Sequence, residues 1–122
     1  MIPNLTLKSA NTILYCKKWS ETVAFYQHEL GLPITFASDW FVEFQLTDSA
    51  HVSIADEKRA TIKSGDGAGI TLTLQVESAD ETWQYLYDKG LSLEPVRDHA
   101  WGARVFYLFD PEGHRLEFWS PK

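Results

Sequence analysis

The chain is written twice from one pattern, and that repeat constrains its fold more than any other feature. The run TILYCKKWSETVAFYQHELGL starting at Thr12 and the run LTLQVESADETWQYLYDKGLSL starting at Leu72 carry the same order of elements. At an offset of 60 positions Glu21-Thr22 falls on Glu81-Thr82 and Phe25 on Tyr85, while Gly31 falls one step short, on Gly90. Further on, Leu46-Thr47-Asp48 matches Leu108-Phe109-Asp110. With 122 residues in all, each half is marginal as an independent folding unit, so the two are expected to be modules of a single domain covering 1–122.

Each half opens with a β-prone run, Thr12 to Cys16 and Ile70 to Val76. A helix start follows. Ser20 is a suitable N-cap for a helix over about Glu21–Leu30, with Val23, Tyr26 and Leu30 on one face. Ser78-Ala79-Asp80-Glu81 is a capping-box pattern opening a helix over about Ala79–Lys89, with Ala79, Trp83 and Leu86 inward and Trp83 the most core-like of the tryptophans. Gly31 and Gly90 stand where a left-handed residue ends a helix. Three strands are expected next in each half: Ile34–Ala37, Trp40–Leu46 and His51–Ala55, then Ser92–Val96, Arg104–Phe109 and Arg115–Trp119. The turn Asp110-Pro111-Glu112-Gly113 has Pro and Gly at fitting places. SGDGAG, from Ser64 to Gly69, reads as a flexible connection. The expected fold is therefore α+β: paired βαβββ modules at about 10–57 and 70–121, a linker at about 58–69, and helices on one face of the strands.

Strand alternation sorts the other, open face. It should carry Asn11, Ile13 and Tyr15; Phe41, Glu43 and Gln45; His51, Ser53 and Ala55; Thr71, Thr73 and Gln75; and Arg115, Glu117 and Trp119. Mixed polar and aromatic side chains on a curved sheet suit a small-molecule cleft. Trp101, Trp119, Trp40, Phe41 and Tyr15 are the candidates for stacking a flat or cationic ligand. His51 projects toward the cleft, and His99, close in sequence to Arg97 and Arg104, suggests a place for an anionic group. His28 and His114 read as structural.

Composition excludes other classes. A net charge of -6 without a basic run disfavours nucleic acid and anionic membranes. Cys16 is the single cysteine and lies in an apolar run, so it reads as a buried, unreactive thiol in a reducing cytoplasm. No signal-peptide core and no apolar run long enough to span a bilayer are present. Rossmann and P-loop glycine patterns are absent, and no Ser-His-Asp or Cys-His spacing is suggested.

Asn11 lies 14 positions before Phe25-Tyr26, which leads into Leu30-Gly31-Leu32, and the C-terminal run reads WGARVFYLFDPEGHRLEFWSP. From about Asn11 to Pro121 the chain resembles the vicinal oxygen chelate superfamily of glyoxalase I, bleomycin-resistance proteins, fosfomycin-resistance enzymes and extradiol dioxygenases. The resemblance implies half-barrel modules, a homodimer and a small-molecule ligand. It also implies metal-ligand positions, which here fall on Asn11, near Ser53, on Thr71 and on Glu117. Only Glu117 is a residue the metal enzymes use there. One carboxylate, an amide and two hydroxyls make a weak set for zinc, nickel or iron, so no metal or other cofactor is expected. The expected function is capture of a small organic molecule, as in the bleomycin-resistance branch, by Asn11, Tyr15, Phe41, His51, Thr71, His99, Trp101, Arg104 and Trp119. The rival is a lyase, isomerase or dioxygenase with Glu117 as its catalytic group, which a divalent metal would assist. A third is a dimeric interaction domain whose aromatic residues serve a protein interface.

Overall fold

The computed structural model describes residues 4–122. The chain divides into two compact units between Ser64 and Gly65. Each holds one four-stranded mixed sheet, and the two sheets share a topology. In the first unit β1 (Ala10–Cys16), β2 (Ile34–Ala37), β3 (Phe41–Thr47) and β4 (Ala50–Asp56) lie in the order β1-β4-β3-β2. In the second, β5 (Thr71–Gln75), β6 (Arg97–His99), β7 (Ala103–Phe109) and β8 (Arg115–Pro121) lie in the order β5-β8-β7-β6. The first and last strands of each unit pair in parallel and the rest antiparallel. This is the α+β fold of repeated βαβββ units that the sequence pattern predicts. Among the described residues no helix is long and apolar enough to cross a membrane.

In the first unit the alternating side chains Leu14, Cys16, Val42, Phe44, Val52 and Ile54 are buried, under Phe25 and Tyr26. Cys16 is a fully buried free thiol. The helix differs from its expected form. It begins earlier, as α1 (Trp19–Ala24), after Lys18, which makes no side-chain cap, so Ser20 is not the N-cap. Trp19 is drawn onto β4 by its indole, which donates to the Ile54 carbonyl at 2.9 Å. The segment Phe25–Glu29 then widens into a π-helical turn, closed by Leu30 N–H to Phe25 C=O at 3.0 Å. That wider turn breaks the 3.6-residue period. Phe25 and Tyr26 are both buried, their rings edge to face at 5.2 Å, whereas Val23 and Leu30 are only half-buried.

In the second unit α2 (Ala79–Asp88) starts as expected, with Ser78 Oγ accepting from Glu81 N–H at 3.1 Å. Ala79 N–H donates to Ser120 Oγ at 2.9 Å, tying the first turn to β8. A pair of ion pairs ties it to the sheet again. Arg104 grips Asp80 with Nε at 3.2 Å and Nη2 at 2.7 Å, and reaches Asp98 with Nη1 at 3.1 Å. Ala79 and Leu86 are buried, but Trp83 is not the core residue expected. It stacks on Tyr87 at 4.9 Å and donates Nε1–H to the Glu94 carbonyl at 2.8 Å. That bond turns the Glu94 carbonyl toward the helix, and Pro95 has no N–H to offer a neighbour. The strand expected over Ser92–Val96 therefore does not form, and pairing with β7 starts only at Arg97.

The turn between β7 and β8 is built on one side chain. Asp110 Oδ1 accepts from the backbone N–H groups of Glu112, Gly113 and His114 at 2.9–3.0 Å, and Oδ2 meets His114 Nδ1 at 2.9 Å. Asp110 and His114 are both buried. The connection SGDGAG is not slack: Gly67 is buried, and a Cβ there would collide with the Gly113 carbonyl group and the His114 nitrogen.

Two outcomes follow. Asp110→Ala strands three backbone donors and a buried histidine, so urea unfolding should show a loss of about 3 kcal/mol or more. The Arg104 cluster gives a pH signature. Hydrogen bonds from Arg104, and for Asp98 a further one from Lys122, hold the Asp80 and Asp98 carboxyls below the usual carboxylate range. Carboxyls lowered in the folded state stabilise it above their unfolded pKa, about 4, and lose that contribution as pH falls through the lowered values. The melting temperature difference between the wild type and Arg104→Gln should therefore be full at pH 7 and shrink below about pH 4.

Candidate functional site

The register of the second sheet assembles its open face. Thr71 sits beside Arg115 and Arg115 opposite Phe109; Thr73 beside Glu117 and Glu117 opposite Tyr107; Gln75 beside Trp119 and Trp119 opposite Val105. Laterally paired residues share a face. The buried Leu116, Phe118, Phe106 and Leu108 hold the other face, with Phe106 and Phe118 stacked at 5.3 Å. Glu117 thus stands half-buried in the middle of the open face. Burial pushes the Tyr107 phenol above its ordinary pKa, and a hydrogen bond to Glu117 adds to the shift. The phenol keeps its proton beside the carboxylate it faces.

On one side of this pair lies a fixed cation. Arg115 Nε donates to Thr71 Oγ1 at 3.0 Å, and the guanidinium carbon lies 4.6 Å from the centre of the Tyr107 ring. On the other side lies an aromatic cluster. Trp101 meets Trp119 edge to face at 5.3 Å, and His99 lies 5.9 Å from Trp101 and 6.3 Å from Tyr107. Trp101 Nε1 donates to His99 Nδ1 at 3.2 Å. An indole N–H only donates, so Nδ1 is the acceptor, and a neutral ring carries its proton on Nε2. A groove of about 450 Å³ runs past Tyr107 and Phe109, lined also by Ser92, Leu93 and Glu94. It lies where the expected strand is missing.

The first unit repeats the face with different contents. Asn11, His51 and Gln45 form one row, Ile13, Ser53 and Glu43 the next, and Tyr15, Ala55 and Phe41 the third. Ser53 is fully buried and donates Oγ–H to Asn11 Oδ1 at 2.8 Å. Asn11 Nδ2 donates to Glu43 Oε2 at 3.4 Å, and Thr35 Oγ1 to Glu43 Oε1 at 2.7 Å. Phe41 meets Trp40 at 5.6 Å and Phe36 at 6.2 Å.

The structure thus groups Thr71, His99, Trp101, Glu117 and Trp119 on one open face, and Asn11, Tyr15, Phe41 and His51 on the other. Arg104 needs correction. It lies on the helix side, paired across the sheet with Asp98 and Ser120, and its guanidinium is engaged by Asp80 and Asp98. Arg115, on the same face, has Thr71 and Tyr107 as its partners. Tyr107, Arg115 and Thr35 were not selected as site residues. Alternation shows Tyr107 only once Glu117 is known to face it. Thr35 is hidden by the register shift between Ile34 and Phe36.

The donors at the four metal-ligand positions do not fit a transition metal. The Asn11 amide is bonded to Ser53 and Glu43, the Thr71 hydroxyl accepts from a guanidinium, and that cation would repel a divalent ion. Among the described residues no three His, Cys, Asp or Glu side chains gather as a metal site.

Comparison with known proteins agrees with this architecture. The chain is 29% identical over 120 residues to the uncharacterized protein YraH of Bacillus subtilis (strain 168), covering 88% of this chain and 93% of that one. A glyoxalase/bleomycin resistance protein/dioxygenase from Nocardioides superposes with a TM-score of 0.78 at 18% identity, over 99% of this chain and 86% of that one. The bleomycin resistance determinant encoded on the transposon Tn5 gives 0.73 at 18% identity, over 93% and 98%. Residues 8–118 match the model of one family, and the chain belongs to it: the Glyoxalase/Bleomycin resistance protein/Dioxygenase superfamily.

Proposed function

We propose that the protein captures a small organic molecule on its open aromatic sheet face without a transition metal, acting in the cytoplasm as a homodimer. One observation carries this reading. Three of the four positions that would ligate a metal, Asn11, Ser53 and Thr71, are taken up by hydrogen bonds within the protein, while Trp101 and Trp119 stand on the same face as Glu117. Aromatic walls supply contact area at small conformational cost, and a few fixed polar groups orient what they hold. The fully buried Cys16 thiol suits a reducing compartment.

A second reading keeps catalysis, because Glu117 is half-buried and faces Tyr107 across the strand pair. A carboxylate so placed can take a proton from a bound substrate. Glu117 would then be the catalytic residue of a lyase or isomerase step.

Protein purified without an affinity tag, incubated with nickel, zinc, manganese or iron(II) and desalted, should retain none in stoichiometric amount by elemental analysis. Stoichiometric metal that is lost in Glu117→Ala would move the weight to the enzyme. In a metabolite and antibiotic screen, binders should quench tryptophan fluorescence, and Trp119→Ala should weaken them about tenfold or more. Turnover of any binder that falls at least a hundredfold in Glu117→Gln establishes the catalytic reading. Mass in solution checks the dimer.

A further inference from the structure

The second unit places a positive charge on its open face and leaves most of that charge's donors without an acceptor among the described residues. Arginine carries five N–H donors. At Arg115 one of them, on Nε, is bonded to Thr71, and the Tyr107 ring lies 4.6 Å from the guanidinium carbon. Arg115 meets no carboxylate among the described residues. The contrast with its neighbours is chemical. Arg104 is neutralised by Asp80 and Asp98, and Arg59 pairs with Asp39. Arg97, opposite Val105, shares the open face, but no hydrogen bond or ion pair orients it among the described residues. Of the four arginines, Arg115 alone is both held and unneutralised among the described residues. Thr71 and Tyr107 fix the stem and plane of the guanidinium, which leaves its terminal nitrogens able to receive two oxygens side by side.

We propose that Arg115 is the anchor for the oxyanion of a small organic acid, a carboxylate or a phosphate monoester, whose flat or apolar part lies toward Trp119. The inference rests on the reading of this face as a ligand site and specifies the ligand's charge. Arg115 and Trp119 are four residues apart on one strand, roughly 13 Å along its axis. An acid with its charged group at one end and a ring several bonds away matches that span. Glu117 lies between the two and disfavours a second anionic group midway, so the middle of the ligand is neutral or carries a hydrogen-bond donor.

The test follows the indole N–H signals of Trp101 and Trp119 by NMR during titration with three probes of one shape: 4-phenylbutyrate, 4-phenylbutyl phosphate and the neutral 4-phenylbutanamide. At least one anion should bind the wild type roughly tenfold or more tighter than the amide, and whichever anion is preferred names the acid. Arg115→Gln should erase that preference while leaving amide affinity unchanged. Arg115→Lys should retain part of it, and Arg97→Gln all of it. Equal affinity of the three probes for the wild type overturns the anchor and leaves the binding face standing, as does a preference that survives Arg115→Gln or is lost in Arg97→Gln. Indole signals unmoved by any probe overturn the anchor and the binding face together. Should Arg115→Gln fail to fold, the wild-type comparison and Arg115→Lys decide the matter.

Discussion

A buried carboxylate that accepts three backbone N–H groups and a histidine N–H fixes the path of the chain between the two central strands of the second unit. Asp110 does what a longer loop would do less rigidly: it sets where β7 ends and where β8 begins. Because side chains alternate with a period of two, moving that turn by a single residue would exchange the faces of every side chain on one strand. The opposition of Tyr107 to Glu117 and of Val105 to Trp119 then disappears. The close approach of Gly67 to Gly113 makes the turn the seat of the connecting segment as well. The chemistry available to the open face is thus a consequence of a turn that does not take part in it.

The two units show how one topology accepts different contents. At the position after the first pleat of the last strand, the first unit has Ser53 and the second has Glu117. The carboxylate of the first unit sits instead on β3, as Glu43, matched by Tyr107 on β7. In the first unit the polar centre is internally hydrogen-bonded through Asn11, Ser53, Glu43 and Thr35. Fold membership alone does not choose the chemistry, since sites rather than folds carry function.

Much of this was legible in the residues. The strand at Ile34–Ala37, the N-cap at Ser78 and the open-face alternation at Arg115, Glu117 and Trp119 follow from local pattern and hold in the structure. What was not legible depends on distant partners. The π-turn at Phe25–Glu29 arises from packing two neighbouring rings onto one sheet, which a fixed helical period cannot express. The placing of Arg104 against the helix needed Asp80 and Asp98 together, 24 and 6 residues away. Arg115 and Thr71 are 44 apart, so the fixed cation could be named from sequence only as a charge on a strand.

The interrupted strand before β6 has one more consequence. A sheet edge with unpaired N–H and C=O groups is a template on which further strands can add, within one species of chain or between several. Here the segment alongside Tyr107–Phe109 is Ser92-Leu93-Glu94, with Pro95 next and the Glu94 carbonyl drawn off to Trp83. A foreign strand approaching this edge meets a carboxylate and a proline ring before it meets the β7 backbone, and β6 beyond covers only three residues. The gap that breaks the repeat between the units thereby disfavours strand addition at this edge.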